Sequence, residues 1–419
     1  VPQLIKAHQS SISPAPVSGA SKSGALRLFL GAFGDPGHAF PMLALGSELT
    51  RRGHAVTMET WSRWQGDVEA AGMTFVAAPE YPVFPTQERP MTMYEAVVRA
   101  VSETRPAVVR ARPHAVVADI LTLAPALAAE LEGIPAATLV PHVHPAPPPG
   151  AAPYSLGARW PRTALGRRMW RRLDPLVERG LHWGQRELDD TRGQLGLPPV
   201  ERLHGGISDR LCIVATYPQL EYPRDWPGHT HVVGPLLWEP PTDPVQLPPG
   251  EQPLVLVAPS TAQDREHRLL RAALAGLGDL PIRVLATWNR RPLPGPVEVP
   301  ANTRLVEWVS YAQTMPQCAL VLCHVGHGTM VRALHSGAAV VACPVAGDMG
   351  ENAARVDWAG AGVRLPWRFT TPLGVRLAVQ RALEEPALAR RAGELAAWSA
   401  AHDAAARAAD LVERLAREG

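Results

Sequence analysis

Three glycines and a histidine crowd into Gly31-Ala32-Phe33-Gly34-Asp35-Pro36-Gly37-His38, within and just after an apolar run that begins at Leu26. Glycine permits a sharp turn or a close backbone approach to a ligand, and proline suits a first helical position. Met42, Leu45 and Leu49 then share one helical face and Gly53 supplies a stop. The segment therefore reads as strand, turn and helix, with His38 in the turn. In an open α/β sheet, ligands bind at the carboxyl ends of the strands, so an imidazole is expected at that edge. One histidine among 15 suits a hydrogen-bonded turn residue as well as a base, and spacing alone leaves both readings open.

A second constellation, His324-Val325-Gly326-His327-Gly328-Thr329, follows the apolar run Ala319-Leu320-Val321-Leu322-Cys323 and precedes a helical stretch. Glycines at such a turn expose backbone N–H groups, and the helix amino terminus adds partial positive charge. Together they make a phosphate site. Ser260 and Thr261 close another strand-like run, Val255-Leu256-Val257-Ala258. Two such turns in one half suit a diphosphate better than a single phosphate. His327 reads as a filler of its turn.

These residues need strand ends to carry them. Strands are expected at 26–33, 55–61, 74–78, 115–120 and 136–141, with helical stretches between them such as 121–131. A second alternation places strands at 254–260, 282–287, 304–309, 320–325 and 339–344. Strands alternating with helices argue for parallel sheets covered on both faces. Between the two series runs Trp238 to Pro253, rich in proline and without periodicity, which reads as a linker. The expectation is an α/β chain of two Rossmann-like domains facing each other across a deep cleft. Its parts are a polar flexible tail (1–24), an amino-terminal domain (25–237), the linker (238–253), a carboxyl-terminal domain (254–385) and a helical segment (386–419).

The 419 residues exceed what one hydrophobic core normally supports, and a net charge of +2 offers no basic surface for nucleic acid. The arginines at 167–172 and 390–391 read as solvated helix faces. Cys212, Cys318, Cys323 and Cys343 show no metal-ligand spacing or disulfide framework, and all but Cys318 sit inside strand-like apolar runs. That pattern fits a reducing, cytoplasmic setting. The first residues lack the apolar core of a signal peptide, and no stretch is long and apolar enough to cross a bilayer, so no integral membrane contact is expected.

From residue 25 onward the chain resembles the nucleotide-sugar-dependent glycosyltransferases of the two-domain GT-B fold, the family of plant and bacterial natural-product glycosyltransferases. Bacterial members show His-Gly-Gly-x-Gly-Thr, a Gly-to-Pro strand, then Asp-Gln and Asn-Ala. Here the matching positions are His324 to Thr329, Gly337 to Pro344, Asp348-Met349 and Asn352-Ala353. The family's Trp-Val-Pro-Gln appears as Trp308-Val309-Ser310-Tyr311, and its Gly-His-x-x-Pro as Gly37-His38-Ala39-Phe40-Pro41. Its acidic partner matches Asp119, which precedes an Ala-rich helix ending in Gly133-Ile134-Pro135. Val325 stands in place of a glycine, Ser310-Tyr311 in place of Pro-Gln, and Met349 in place of glutamine.

The resemblance implies inverting transfer of a hexose or deoxyhexose from a UDP- or dTDP-sugar to a hydroxyl of a lipophilic small molecule such as a polyketide, macrolide or phenol. His38 would take the hydroxyl proton, and Asp119 would orient the ring and stabilise the imidazolium. Ser260, Thr261, Trp308, Val309, His324, Gly326, Gly328, Thr329, Asp348 and Met349 would bind the donor. With no Asp-x-Asp motif, neither a metal nor a separate cofactor is expected. A homodimer is compatible with the resemblance. The acceptor would lie among the loops 61–94 and 141–183, where Trp61, Trp64, Phe84, Trp160 and Trp170 could equally be core. Other readings stay open at this point. One is a nicotinamide dehydrogenase with Glu59 as its ribose-binding acid. The others are a sugar-nucleotide epimerase of the same fold and a non-catalytic accessory relative.

Overall fold

The computed structural model of the chain describes residues 24–80, 93–154, 156–201, 205–260 and 263–419. The expected tail thus lies outside the described residues except for its last position.

The first half builds seven strands: β1 (Arg27–Gly31), β2 (Ala55–Thr60), β3 (Thr74–Ala77), β4 (Ala115–Asp119), β5 (Ala136–Val140), β6 (Cys212–Val214) and β7 (Thr230–Val232). They pair in parallel in the order β3-β2-β1-β4-β5-β6-β7. Alternation along β1 sets the two faces. Leu28 and Leu30 pack beneath the helices Pro36–Arg51 and Ala404–Glu418, while Phe29 packs on the other face against Met93–Ala111 and Leu123–Leu131. Covered on both sides, β4 is buried along its whole length.

The second half builds six more strands: β8 (Leu254–Ala258), β9 (Arg283–Thr287), β10 (Thr303–Val306), β11 (Leu320–Cys323), β12 (Ala339–Ala342) and β13 (Gly362–Arg364). Their order is β10-β9-β8-β11-β12-β13, again in parallel. In each sheet the strand order reverses direction once near the centre, between β1 and β4 and between β8 and β11. Such a switch point opens a crevice at the carboxyl ends of the strands. Most of the site residues read from the sequence lie at the carboxyl ends of strands that border these two crevices or of their neighbours; Trp308 and Val309 follow the edge strand β10.

Strands β6, β7 and β13 go beyond the expected set, although the apolar run around Cys212 marked the first of them. They are three-residue elements near or at the sheet edges, too short to show a period. The carboxyl-terminal helical segment divides in two. Helix Pro386–Ala401 stays on the second half against β12 and the helix His327–His335, and only Ala404–Glu418 crosses to helix Pro36–Arg51. Arg52 fixes that crossing by donating to Glu48, Asp410 and Glu413 at 2.8, 2.6 and 2.9 Å. Residues 238–253 carry no strand or helix. They are tied to the second half by the Glu239 carboxylate, which accepts from the Ser310 hydroxyl and the Ala312 N–H. Among the described residues no helix is long and apolar enough to cross a membrane.

Candidate active site

The turn after β1 needs its glycines for contact reasons. A Cβ on Gly34 would fall 2.0 Å from Cγ of Trp61, and one on Gly31 would fall 2.3 Å from Cγ of Pro125. The Gly34 carbonyl accepts from Trp64 Nε1 at 2.7 Å and from the Arg63 guanidinium, which locks the turn. Pro36 then starts the helix, so His38 sits in the first helical turn rather than in the connection before it.

His38 Nδ1 donates to Asp119 Oδ1 at 2.9 Å. The other carboxylate oxygen of Asp119 accepts from the Phe33 N–H at 3.4 Å, and the Asp119 side chain is fully buried. A carboxylate can only accept, so Nδ1 carries the proton and the neutral ring keeps its lone pair on Nε2. The His38 side chain is 16% exposed, which leaves that edge accessible. Burial works against its charged form, but the Asp119 carboxylate, followed by those of Asp35 and Asp348, outweighs burial and raises the pKa above 6.5. Asp348 belongs to the second half, so the two halves of the chain bring their charged groups to one place.

The turn after β11 is braced by His324. Its Nδ1 accepts from the Ser260 N–H at 3.0 Å, and its Nε2 faces Asp264 Oδ2 at 3.3 Å. Asp264 in turn accepts from the N–H groups of Arg268 and Leu269. The His324 ring is buried with both nitrogens turned toward protein, so it supports the turn instead of reaching outward. What the turn presents is backbone. The bond Met330 N–H to Gly326 O begins the helix His327–His335, and the N–H groups just before it have no helical acceptor. A Cβ on Gly326 or Gly328 would meet nothing within 4 Å, so both glycines face open space.

Val325 takes φ +53°, a left-handed conformation that a β-branched residue adopts only under constraint. The constraint is Asn352, whose Nδ2 donates to the Val325 carbonyl at 3.0 Å and to Asp348 Oδ2 at 3.0 Å. Asp348 directly precedes the helix Met349–Trp358, and Met349 lies half-buried against the core of the second half. Trp308 is also half-buried, with the Arg290 guanidinium 4.9 Å above its ring. The side chain of Val309 is in the core, which leaves only its backbone for a ligand. Tyr311, which stands in place of glutamine, is half-buried near Asn289 and Thr329, and burial raises its pKa. Thr261 lies outside the described residues.

Several side chains around this place had no signal in the sequence reading. His327 is no filler: its Nε2 bonds Thr216 Oγ1 of the first half at 2.9 Å, and burial, then the charges of His142 and His38, hold its pKa down to about 3. His142 follows β5 with its ring centroid 6.1 Å from that of His38. Arg355 is fully buried between Glu351 at 2.7 Å and Glu221 at 2.9 Å, with its guanidinium 3.7 Å from the Tyr222 ring centroid. Because Glu221 follows β6, this triad pins the two halves together. The aromatic residues divide as well. Trp61 packs on Phe33 beside His38, Trp64 packs on Phe40, and Trp160 lies against Tyr222. Phe84 lies outside the described residues. Glu59 is 1% exposed and accepts from the Thr104 hydroxyl, so it is closed to a ribose.

Comparison with known proteins agrees with this fold. The profile of the erythromycin biosynthesis protein CIII-like family, C-terminal domain, matches residues 271–415. The 4'-demethylrebeccamycin synthase of Lentzea aerocolonigenes is 29% identical over 90% of this chain and 97% of its own length. The O-mycaminosyltylonolide 6-deoxyallosyltransferase of Streptomyces fradiae is 28% identical over 93% and 98%. Among solved structures, the calicheamicin glycosyltransferase CalG4 superposes with a TM-score of 0.71 at 25% identity, covering 93% of this chain and 98% of its own. The glycosyltransferase VinC, solved in complex with dTDP, shares the fold with a TM-score of 0.69 at 19% identity, over 94% and 100%. The chain has the GT-B fold and is a glycosyltransferase; its sequence resembles the natural-product glycosyltransferases, and its residues 271–415 resemble the C-terminal domain of the erythromycin CIII-like proteins.

Proposed function

We propose that the chain transfers a hexose, with preference for a deoxyhexose, from a dTDP- or UDP-sugar to a hydroxyl of a lipophilic natural-product acceptor, with inversion at the anomeric carbon. The observation that carries this reading is the His38–Asp119 pair, 2.9 Å apart, within electrostatic reach of Asp348 from the opposite half. His38 Nε2 takes the hydroxyl proton as the acceptor oxygen bonds to the anomeric carbon. On the opposite face of that carbon, the bond to the diphosphate oxygen breaks. The buried Asp119 keeps the ring in the productive tautomer and offsets the charge of the imidazolium. The departing diphosphate gains negative charge, and the free N–H groups at the start of helix His327–His335 are placed to meet it.

The preference for a deoxyhexose rests on Met349. A thioether is at best a weak acceptor and donates nothing, so it cannot bond a sugar hydroxyl as glutamine would. Two neighbours are held by other partners, although Asn352 Oδ1 has none among the described residues. Glu351 is buried and paired with Arg355, and Asn352 is fully buried with its amide N–H groups on Val325 and Asp348. The relative from Streptomyces fradiae named above is by name a 6-deoxyallosyltransferase, which supports the same choice. The test is incubation of the protein with dTDP- and UDP-linked hexoses and deoxyhexoses together with phenols and alcohols, read by mass spectrometry and anomeric NMR couplings. A glycosylated acceptor of inverted configuration upholds the reading. Epimerised donor with no acceptor adduct would contradict it.

A further inference from the structure

His142 stands beside the base, and its Nε2 has no hydrogen-bond partner among the described residues. It follows β5, the strand paired with β4, and so lies next to the strand that ends in Asp119. Its Nδ1 is 2.7 Å from the Val143 carbonyl, which can only accept, so Nδ1 carries the proton and Nε2 keeps the lone pair. Its ring stands at 81° to the His38 ring with centroids 6.1 Å apart, and Tyr154 flanks it with centroids 6.4 Å apart. Burial, with the nearby charge of His38, lowers its pKa and keeps it neutral. A half-buried neutral imidazole of this tautomer can accept a hydrogen bond from a ligand O–H or N–H.

The two imidazoles are locked alike, each donating through Nδ1 to a protein oxygen and keeping a lone pair on Nε2. With the ring centroids 6.1 Å apart, one ligand carrying two neighbouring oxygens can reach both nitrogens. We propose that His142 is a specificity-determining residue of the acceptor site, whose Nε2 accepts a hydrogen bond from a second hydroxyl beside the one that His38 deprotonates. The acceptor class is then a diol or a catechol-type ring. This rests on the transferase reading above, because it takes His38 as the group that meets the reacting hydroxyl.

The test compares catechol with 2-methoxyphenol, which has a similar ring but a neighbouring oxygen that cannot donate. Turnover is measured with a fixed dTDP- or UDP-sugar, and binding is measured by calorimetry on the dTDP complex, for wild type, His142→Phe and His142→Gln. Wild type should favour catechol by about 10-fold or more in kcat/KM and in affinity. His142→Phe should lose the preference, its catechol rate falling further than its 2-methoxyphenol rate, and His142→Gln, which retains an acceptor oxygen, should recover part of it. Equal rate losses on both phenols in His142→Phe, or a wild type without preference, would overturn the proposal and leave the transferase reading standing. A catechol preference in binding that His142→Phe abolishes, with no transfer by any of the proteins, would uphold the hydroxyl site and overturn the transferase reading.

Discussion

At His38 burial disfavours the imidazolium, and the carboxylates of Asp119, Asp35 and Asp348 more than compensate, so the pKa lies above 6.5. Base catalysis uses the neutral ring, so kcat/KM should climb as pH rises through that raised value. The pair's contribution to stability runs the other way: it is fully present below 6.5 and is lost as pH passes the raised value. Asp119→Asn removes the largest charge that favours the imidazolium. Its pH–rate profile should show a lower inflection than wild type together with a lower kcat, and an unmoved inflection would detach Asp119 from the base. Met349 carries the second expectation at this scale. Wild type should use a deoxyhexose donor at least as well as the matched glucose donor, and Met349→Gln should shift the kcat/KM ratio toward glucose. A strong wild-type preference for glucose, unchanged by the substitution, would remove Met349 from donor choice. His38 stood out because glycines punctuate the end of its strand, whereas Asp119 was named only by the resemblance, through the Ala-rich helix closed by Gly133 and Pro135. His142 and His327 were not, because their roles depend on Val143 O and Thr216 Oγ1, which no local spacing reveals.

The helix His327–His335 matters more for its start than for its side chains. His324 looked from the motif like a donor contact, yet its ring faces Ser260 and Asp264 and holds the turn in place. Gly328 tests what the turn offers. It sits in the first helical turn, its Cβ position meets no protein atom within 4 Å, and its φ is not positive. Gly328→Ala should therefore raise apo stability by about 0.5–1 kcal/mol through the lost backbone freedom of glycine. The added methyl also projects toward the proposed phosphate position, so calorimetry should show dTDP binding weakened by about 10-fold or more. Undiminished dTDP binding would place the diphosphate elsewhere. Long apolar strands such as β8 could be read from sequence because burial on both faces demands unbroken Val and Leu. The three-residue strands β6, β7 and β13 carry too few residues for a period. The break between the last two helices did have a signal, since Asp403 accepts from the Ala406 N–H as an N-cap.

Two α/β halves meeting across a cleft could be anticipated from the two strand series, but the contacts that join them could not. Arg355 and Glu221 lie 134 residues apart in sequence, and their bond exists only once the halves face each other. Removing one member of a buried charge group leaves its partners uncompensated. Arg355→Ala strands both Glu221 and Glu351, and should cost about 3–5 kcal/mol in chemical denaturation. A loss below 1 kcal/mol would show that the triad adds little to the union of the halves. The same union sets the proposed chemistry, because it brings His38 from one half opposite Asp348 and the helix start from the other. If the first half supplies the base and the second binds the nucleotide, one substitution should separate the two tasks. The direct measurement is the turnover number of His38→Ala on an alkyl alcohol acceptor at saturating donor, with dTDP affinity measured on the same protein. The account predicts a fall of ~10²–10⁴ in kcat with dTDP affinity unchanged. Turnover equal to wild type would contradict it.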